Sequence, residues 1–76
     1  MSNHKLLNAM CRQACRMVRE LNERMDEPFF YLTSCAGRFR LYGGDGNCDR
    51  LIMEGRICIE GVAKLISRLE AVSICI

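Results

Sequence analysis

The residues best suited to chemistry in this sequence are one histidine and two cysteines close to its N-terminus. His4, Cys11 and Cys15 fall on one side of the helix predicted for this region, and zinc binds imidazole and thiolate groups well. A structural zinc site needs four such ligands, and the sequence has no Cys-x2-Cys pair to complete a tetrahedron. Reduced cysteine otherwise behaves as a small hydrophobic side chain. We therefore predict that these thiols belong to the core and that the protein holds no metal and no cofactor.

A glycine-rich segment in the middle of the chain carries spaced acidic residues that are typical of calcium loops. Asp45, Asn47 and Asp49 match the first ligands of such a loop. The loop needs glycine at its sixth position and a bidentate glutamate at its twelfth, where this sequence has Arg50 and Arg56. The same glycines lack the Gly-Lys-Ser/Thr ending of a phosphate-binding loop. The segment is therefore predicted to be a turn between two strands.

Groups suited to catalysis are scarce. The sequence contains one histidine, which lies near a terminus, so it offers no Ser–His or Cys–His arrangement that would activate a nucleophile. A chain of 76 residues also has little room for a pocket of the usual ligand size. We predict that the protein is not an enzyme.

Arginine and aromatic residues form the pattern most typical of a binding surface. If the strands described below bury Phe30, Leu32, Phe39 and Leu41, alternation places a second set on the open face of the sheet. This candidate interaction surface consists of Phe29, Tyr31, Arg38, Arg40, Tyr42 and Arg50, with Thr33 and Ile52 beside them. Aromatic and arginine side chains are enriched at protein interfaces, and they also stack on bases and contact phosphates. The RNA-recognition pattern is not met by the segment from Gly37 to Tyr42.

A secondary candidate is a basic stripe on the exposed side of the first helix. Arg12, Arg16 and Arg19 follow one another at helical spacing. Glu20 and Glu23 lie on the same side and dilute the positive field. The stripe is predicted to be a solvated helix face, with contact to phosphate or to an acidic partner as the alternative.

The element that must position these residues is a long amphipathic helix from Leu6 to Met25. Ser2 or Asn3 is expected to cap its start, and Pro28 is expected to end it. Its apolar arc covers about half of the circumference, whereas a helix that rests on one surface needs about 100°. The apolar side consists of Leu6, Leu7, Met10, Cys11, Ala14, Cys15, Met17, Val18, Leu21 and Met25. The spare apolar surface is expected to contact the second helix, a second copy of the chain or a partner.

Three short strands are predicted to follow this helix. They span 29 to 35, 38 to 42, and 48 or 49 to 54, and Gly55 ends the third. Ala36-Gly37 fits a two-residue turn between the first two strands. The glycine-rich segment from Gly43 to Asn47 supplies the second turn.

A second helix of about four turns is predicted near the C-terminus. Its apolar residues recur at helical spacing, with Gly61 near its start. They are Ile59, Val62, Leu65, Ile66, Leu69 and Val72. Because glycine costs about 1 kcal/mol relative to alanine in a helix, we expect Gly61 to allow the close approach of another element.

These elements define an α+β fold of order αβββα in a single domain, residues 1–76. The sheet is expected to be an antiparallel three-stranded meander with both helices on one face. A hydrophobic content of 50% and a charged content of 26% are typical of globular proteins. The net charge of +2 is too small to indicate nucleic-acid or membrane binding by itself.

The apolar runs and the N-terminal segment of the sequence predict the location of the protein and the redox state of its cysteines. No apolar run approaches the roughly 20 residues that span a bilayer, and no export signal is visible. The six cysteines are therefore expected to remain reduced, because thiols stay reduced without export. They are Cys11, Cys15, Cys35, Cys48, Cys58 and Cys75. We predict a cytoplasmic protein that does not bind membranes.

From about Glu20 to Val72 the layout resembles that of small uncharacterised proteins encoded by phages and prophages. The segments that carry this likeness are ELNER, PFFYLT, GRFRLYGGDG and LIMEGRICIEGVAKLISRLE. In those proteins a helix, a three-stranded hairpin sheet and a closing helix follow in that order. The resemblance implies a phage-linked accessory protein and supplies no catalytic residues.

The function expected from these features is that of a small protein-interaction module acting as a homodimer. The wide apolar arc of the first helix indicates the homodimer, and the arginine–aromatic sheet face indicates a protein partner. The alternative is a nucleic-acid-binding protein that uses the same sheet face or the basic stripe of the first helix.

Overall fold

The chain folds into a helix, a three-stranded antiparallel meander and a second helix, which confirms the predicted αβββα order. A computed structural model describes residues 3–24, 29–44 and 49–74. The elements are α1 (Asn3–Arg24), β1 (Phe29–Cys35), β2 (Arg38–Gly44), β3 (Asp49–Arg56) and α2 (Ile59–Ile74). α1 begins earlier than predicted, while β2 and β3 each extend two residues beyond their predicted ends. The expected cap at Ser2, the stop at Pro28, Met25 and the Asp45–Asn47 segment lie outside the described residues.

The β1–β2 hairpin closes through the predicted two-residue turn. Ala36 and Gly37 both have positive φ angles, of 53° and 74°. Two consecutive residues with positive φ define a type I′ turn, whose twist matches that of the flanking strands. The turn sets a regular register from Cys35↔Arg38 to Phe29↔Gly44. This register places Tyr31 opposite Tyr42 on the side of the sheet away from the helices.

The β2–β3 pairing contains a β-bulge that changes which residues of β3 face the helices. Leu41 pairs with Met53 and Tyr42 with Leu51, so Ile52 is an extra residue in β3. The bulge fits because Gly43 has no side chain: a Cβ there would lie 2.8 Å from the Cδ1 atom of Ile52. A single extra residue reverses the alternation of side chains that a regular strand would show.

The predicted outward orientation of Arg50 and Ile52 is therefore wrong. Ile52 is partly buried and packs against the core cluster. Arg50 pairs with Gly43, at a register position on the helix side of the sheet, although its side chain is exposed. Leu51 and Glu54 take the outward positions instead, opposite Tyr42 and Arg40.

The core lies between the helix side of the sheet and the two helices. The predicted inward residues Phe30, Phe39 and Leu41 are buried, and Leu32 packs partly buried against them. From the helices, the buried contributions are Ala14, Val18, Leu21, Val62, Leu65 and Leu69. No helix within the described ranges has the length and apolarity needed to cross a bilayer.

The two helices lie side by side and run in the same direction. At their C-terminal ends, Nη1 of Arg24 donates a hydrogen bond to Oγ of Ser73 across 3.1 Å. At their N-terminal ends, His4 and Leu7 line a surface cleft together with Ile59. α2 begins directly beside the hairpin turn, because the Ile57 N–H donates to the Gly37 carbonyl oxygen across 2.8 Å. Both helix N-termini therefore lie at the hairpin end of the sheet.

A side chain from α1 closes part of the open edge of β1. Nδ2 of Asn22 donates to the Phe30 carbonyl oxygen at 2.6 Å, and Oδ1 of Asn22 accepts from the Phe30 N–H at 2.8 Å. The amide thus satisfies a backbone donor and a backbone acceptor, as a neighbouring strand would. Exposed edge strands invite pairing with other chains, so this contact protects β1.

Gly61 lies where the first turn of α2 approaches the end of β3, as the sequence predicted. A Cβ at this position would collide with the Arg56 carbonyl oxygen, which is backbone and cannot move aside as a side chain can.

We expect Gly61→Ala to lower the free energy of unfolding by more than about 1 kcal/mol, although alanine is the better helix former. Urea denaturation measures this change. Ser67→Ala, at an exposed position of α2, is the control, with an expected change within about 0.5 kcal/mol. A Gly61→Ala variant as stable as wild type would contradict the steric argument.

Candidate interaction surfaces

The side of the sheet that carries no helix presents aromatic, aliphatic and charged side chains together. We call this surface the outer sheet face. It consists of Tyr31, Thr33, Cys35, Arg38, Arg40, Tyr42, Leu51, Glu54 and Arg56. Phe29 takes the corresponding register position opposite Gly44. The surface therefore mixes apolar groups toward one end with arginines toward the hairpin end.

The centre of the outer sheet face is a pair of stacked tyrosines. The rings of Tyr31 and Tyr42 lie with centroids 5.0 Å apart and planes inclined by 17°. Tyr42 also lies opposite Leu51, which is 49% exposed. These three side chains form an apolar strip across all three strands, and phenol rings contribute large contact areas at low entropic cost.

One arginine of this face is held by its neighbours. Nε of Arg40 lies 3.3 Å from Oε2 of Glu54, and both side chains are substantially exposed. A hydrogen bond with the Tyr42 side chain, followed by electrostatic interaction with Tyr42 and Glu54, holds the pKa of Arg40 above its ordinary value. Solvent screens exposed ion pairs, so this contact orients Arg40 more than it stabilises the fold.

Two other arginines face each other without a compensating charge. Arg38 and Arg56 are cross-strand partners in the β2–β3 register, and both are exposed. Within residues 3–24, 29–44 and 49–74, neither has a carboxylate within ion-pair distance. Side chains in such pairs have Cβ atoms about 5 Å apart, and like charges at this separation destabilise a sheet. The fold tolerates two adjacent cations here.

The structure brings most of the predicted interaction residues together and reveals others. Tyr31, Arg38, Arg40 and Tyr42 share the outer sheet face, whereas Arg50 does not. Sequence reasoning missed Leu51, Glu54 and Arg56. The bulge hid Leu51, and Arg56 was hidden because Gly55 was expected to end the strand. Glu54 has the outward position that simple alternation along β3 would have given.

The basic stripe of α1 forms a separate surface. Arg12, Arg16 and Arg19 are all exposed and border a shallow depression together with Cys11 and Cys15. The stripe lies on the helix layer and does not join the arginines of the outer sheet face. The two predicted basic regions are therefore distinct surfaces.

The thiols of α1 border a small cleft between the helices and the hairpin end of the sheet. This cleft has a volume of about 160 Å³, and the side chains around it are mainly apolar. Its lining includes Cys11, Cys15, Leu32, Phe39 and Val62. The described cysteines Cys11, Cys15, Cys35 and Cys58 carry free thiols. Among the described residues, no three His, Cys, Asp or Glu side chains come together as a metal site would need.

Burial, with a smaller effect of the neighbouring Cys15, raises the pKa of the Cys11 thiol above its ordinary value. A raised thiol pKa lowers the fraction of reactive thiolate at a given pH. We therefore expect iodoacetamide at about pH 8 to alkylate Cys11 several-fold more slowly in the folded protein than in urea. Folding favours the protonated thiol of Cys11. The contribution of this group to the free energy of unfolding is therefore present below the unfolded-state pKa and is lost as pH rises through the folded-state pKa.

Peptide mapping by mass spectrometry measures the alkylation rate of each cysteine. The exposed Cys58 is the internal control, and its rate should differ less between folded and unfolded protein. Cys15→Ser should accelerate Cys11 alkylation, because it removes one cause of the raised pKa. Equal Cys11 rates in buffer and in urea would contradict the expectation.

One side of α1 leaves apolar side chains only partly covered. Leu6 is 49% exposed, and Met10 and Met17 are half-buried at the same side of the helix. We call these three apolar residues the α1 stripe, which is distinct from the basic stripe of Arg12, Arg16 and Arg19. The buried residues of α1 (Ala14, Val18 and Leu21) all lie in its second half. The sheet and α2 thus cover only part of the apolar arc.

No protein-family model, curated protein sequence or solved structure gives a significant match to this chain.

Proposed function

We propose that this protein is a non-enzymatic protein-interaction module that acts as a homodimer. The observation that carries the proposal is the apolar surface left uncovered on both layers of one subunit, with Leu6 and Leu51 each 49% exposed. Leu6 continues into the half-buried residues of the α1 stripe, and Leu51 continues into the stacked tyrosines. Contiguous exposed apolar groups mark association surfaces more often than they mark solvent-facing structure.

We assign the α1 stripe to the contact between copies and the outer sheet face to a different partner. Among its described side chains the outer sheet face carries three arginines and one glutamate, so we expect two such faces to repel each other. The α1 stripe has no such excess of charge along Leu6, Met10 and Met17. Two surfaces with different chemistry suit a dimer that holds a second protein.

The cellular setting follows from the same proposal. A cytoplasmic protein fits the free thiols of the described cysteines. The resemblance in layout to small phage and prophage proteins supports the role of an accessory protein that modulates a protein of its host. Nucleic-acid binding is the less favoured function, because the faces of Tyr31 and Tyr42 are stacked on each other.

Sedimentation equilibrium tests the homodimer. Wild type at about 200 μM is expected to sediment as a dimer, and Leu6→Lys/Met10→Lys as a monomer, because charges on the α1 stripe cannot be buried unpaired. Leu51→Lys, which introduces one lysine on the outer sheet face, is the control and should remain dimeric. A monomeric wild type at this concentration would refute the dimer, and a monomeric Leu51→Lys variant would refute the assignment of the surface.

A further inference from the structure

We propose that the outer sheet face binds an acidic segment of another protein, with a carboxylate of that segment held between Arg38 and Arg56. This inference rests on the proposed function, since it names the chemistry of the partner. Its starting point is the pair of exposed arginines that face each other across β2 and β3. No described carboxylate neutralises them, so an anion from outside would remove their mutual repulsion.

The backbone holds these two arginines in place before any partner arrives. Arg38 follows the type I′ turn directly, and its strand partner Arg56 precedes the hydrogen bond from the Ile57 N–H to the Gly37 carbonyl oxygen. The Cys58 N–H also donates to the Arg56 carbonyl oxygen across 3.0 Å. The fixed backbone keeps the two arginines on neighbouring strands, and each guanidinium group can donate two parallel hydrogen bonds to a carboxylate.

The remainder of the face is suited to a peptide chain. The strip of Tyr31, Tyr42 and Leu51 lies beyond the arginines on the same side of the sheet. It can receive apolar side chains of the segment whose carboxylate binds Arg38 and Arg56. The complementary partner therefore carries acidic residues toward one end of the segment and apolar residues toward the other.

The geometry favours protein over nucleic acid as the occupant. Tyr31 and Tyr42 stack against each other with an interplanar angle of 17°, and Tyr42 has Leu51 on its other flank. Base-stacking platforms present ring faces to the solvent, which this arrangement does not favour. Arg40 is already paired with Glu54, so few positive charges remain for a run of phosphates.

Fluorescence anisotropy with a labelled peptide of about twelve residues, rich in Glu in one half and in Leu in the other, tests the proposal. The full-length protein is expected to bind it with a Kd of about 10–100 μM. A peptide with Gln in place of Glu should bind at least about tenfold more weakly. No binding of the Glu peptide at about 1 mM protein, or equal binding of the Gln peptide, would overturn the inference.

Two double variants with the same charge change locate the site. Arg38→Gln/Arg56→Gln should weaken binding at least about tenfold, whereas Arg12→Gln/Arg16→Gln should leave it unchanged. An equal loss in both variants would mean unspecific attraction and would overturn the inference. Single-stranded DNA of the same charge serves as the competitor, and tighter binding of this DNA than of the Glu peptide would also overturn it.

Arg56→Glu separates a binding role from a structural one. A glutamate opposite Arg38 replaces repulsion with attraction, so thermal unfolding should occur at an equal or higher temperature while peptide binding is lost. Unfolding several degrees below wild type would assign Arg56 to the fold and would overturn the inference. The outer sheet face is intact in the Leu6→Lys/Met10→Lys variant, so failure of the homodimer and failure of peptide binding are measured independently.

Discussion

Leu41→Ala is expected to lower the free energy of unfolding by about 2–5 kcal/mol. Leu41 is 0% exposed and lies at the centre of the middle strand, between Leu32 on β1 and Met53 on β3. Truncation removes contacts with both neighbouring strands and with the helices, and it leaves a cavity that a small core cannot collapse around. A domain of 76 residues has a total stability of roughly 4–11 kcal/mol, so a large part of it would be lost.

Urea and thermal denaturation followed by circular dichroism measure this loss at a fixed protein concentration. The thermal midpoint should fall by at least about 10 °C, given about 4–8 °C for each kcal/mol in a domain of this size. Leu51→Ala is the matched control, because it truncates the same side chain where it is 49% exposed. Its effect on the isolated subunit should stay below about 1 kcal/mol. A loss below about 1 kcal/mol for Leu41→Ala would show that the core does not depend on this residue.

Asn22→Ala is expected to lower the free energy of unfolding by about 2–4 kcal/mol, because two part-buried backbone groups of Phe30 would lose their partners. Alanine is the better helix former, so the helix itself should gain a few tenths of a kcal/mol. The loss therefore reports the contact with β1. Asn22→Asp keeps the acceptor for the Phe30 N–H but replaces the donor with a second oxygen, and it should also be destabilising.

Asn8→Ala is the control for Asn22→Ala, since Asn8 lies on the same helix and is exposed. It should change the free energy of unfolding by no more than about 0.5 kcal/mol. Hydrogen exchange adds a local measurement, in which the Phe30 amide should exchange faster in Asn22→Ala than in Asn8→Ala. Equal stability and equal Phe30 exchange in the two variants would show that the Asn22 contact does not hold the edge.

The sequence predicted those features of the fold that depend on neighbours along the chain. Helical spacing gave α1 and α2, alternation gave the inward side of β1 and β2, and Ala36-Gly37 gave the tight turn. Gly61 was expected to allow a close approach because glycine is unfavourable within a helix, and it lies against the Arg56 carbonyl oxygen.

The features that the sequence did not predict depend on residues brought together by the fold. The Ile52 side chain at the bulge occupies the space beside Gly43 on another strand, a neighbour that is visible only once the two strands are aligned. The facing pair of Arg38 and Arg56 depends on the same alignment. Asn22 offered only a weak signal, since it is a poor helix former in the last turn of α1, and its partner on β1 could not be read from that signal.

The parallel arrangement of the two helices makes the molecule electrically asymmetric along its length. Each helix contributes about half a positive charge at its N-terminus, and both N-termini lie at the hairpin end. Arg38 and Arg56 are at this end as well. A diffusing polyanion would therefore be turned toward this end before contact, so ionic strength should affect its association rate constant more than its dissociation rate constant.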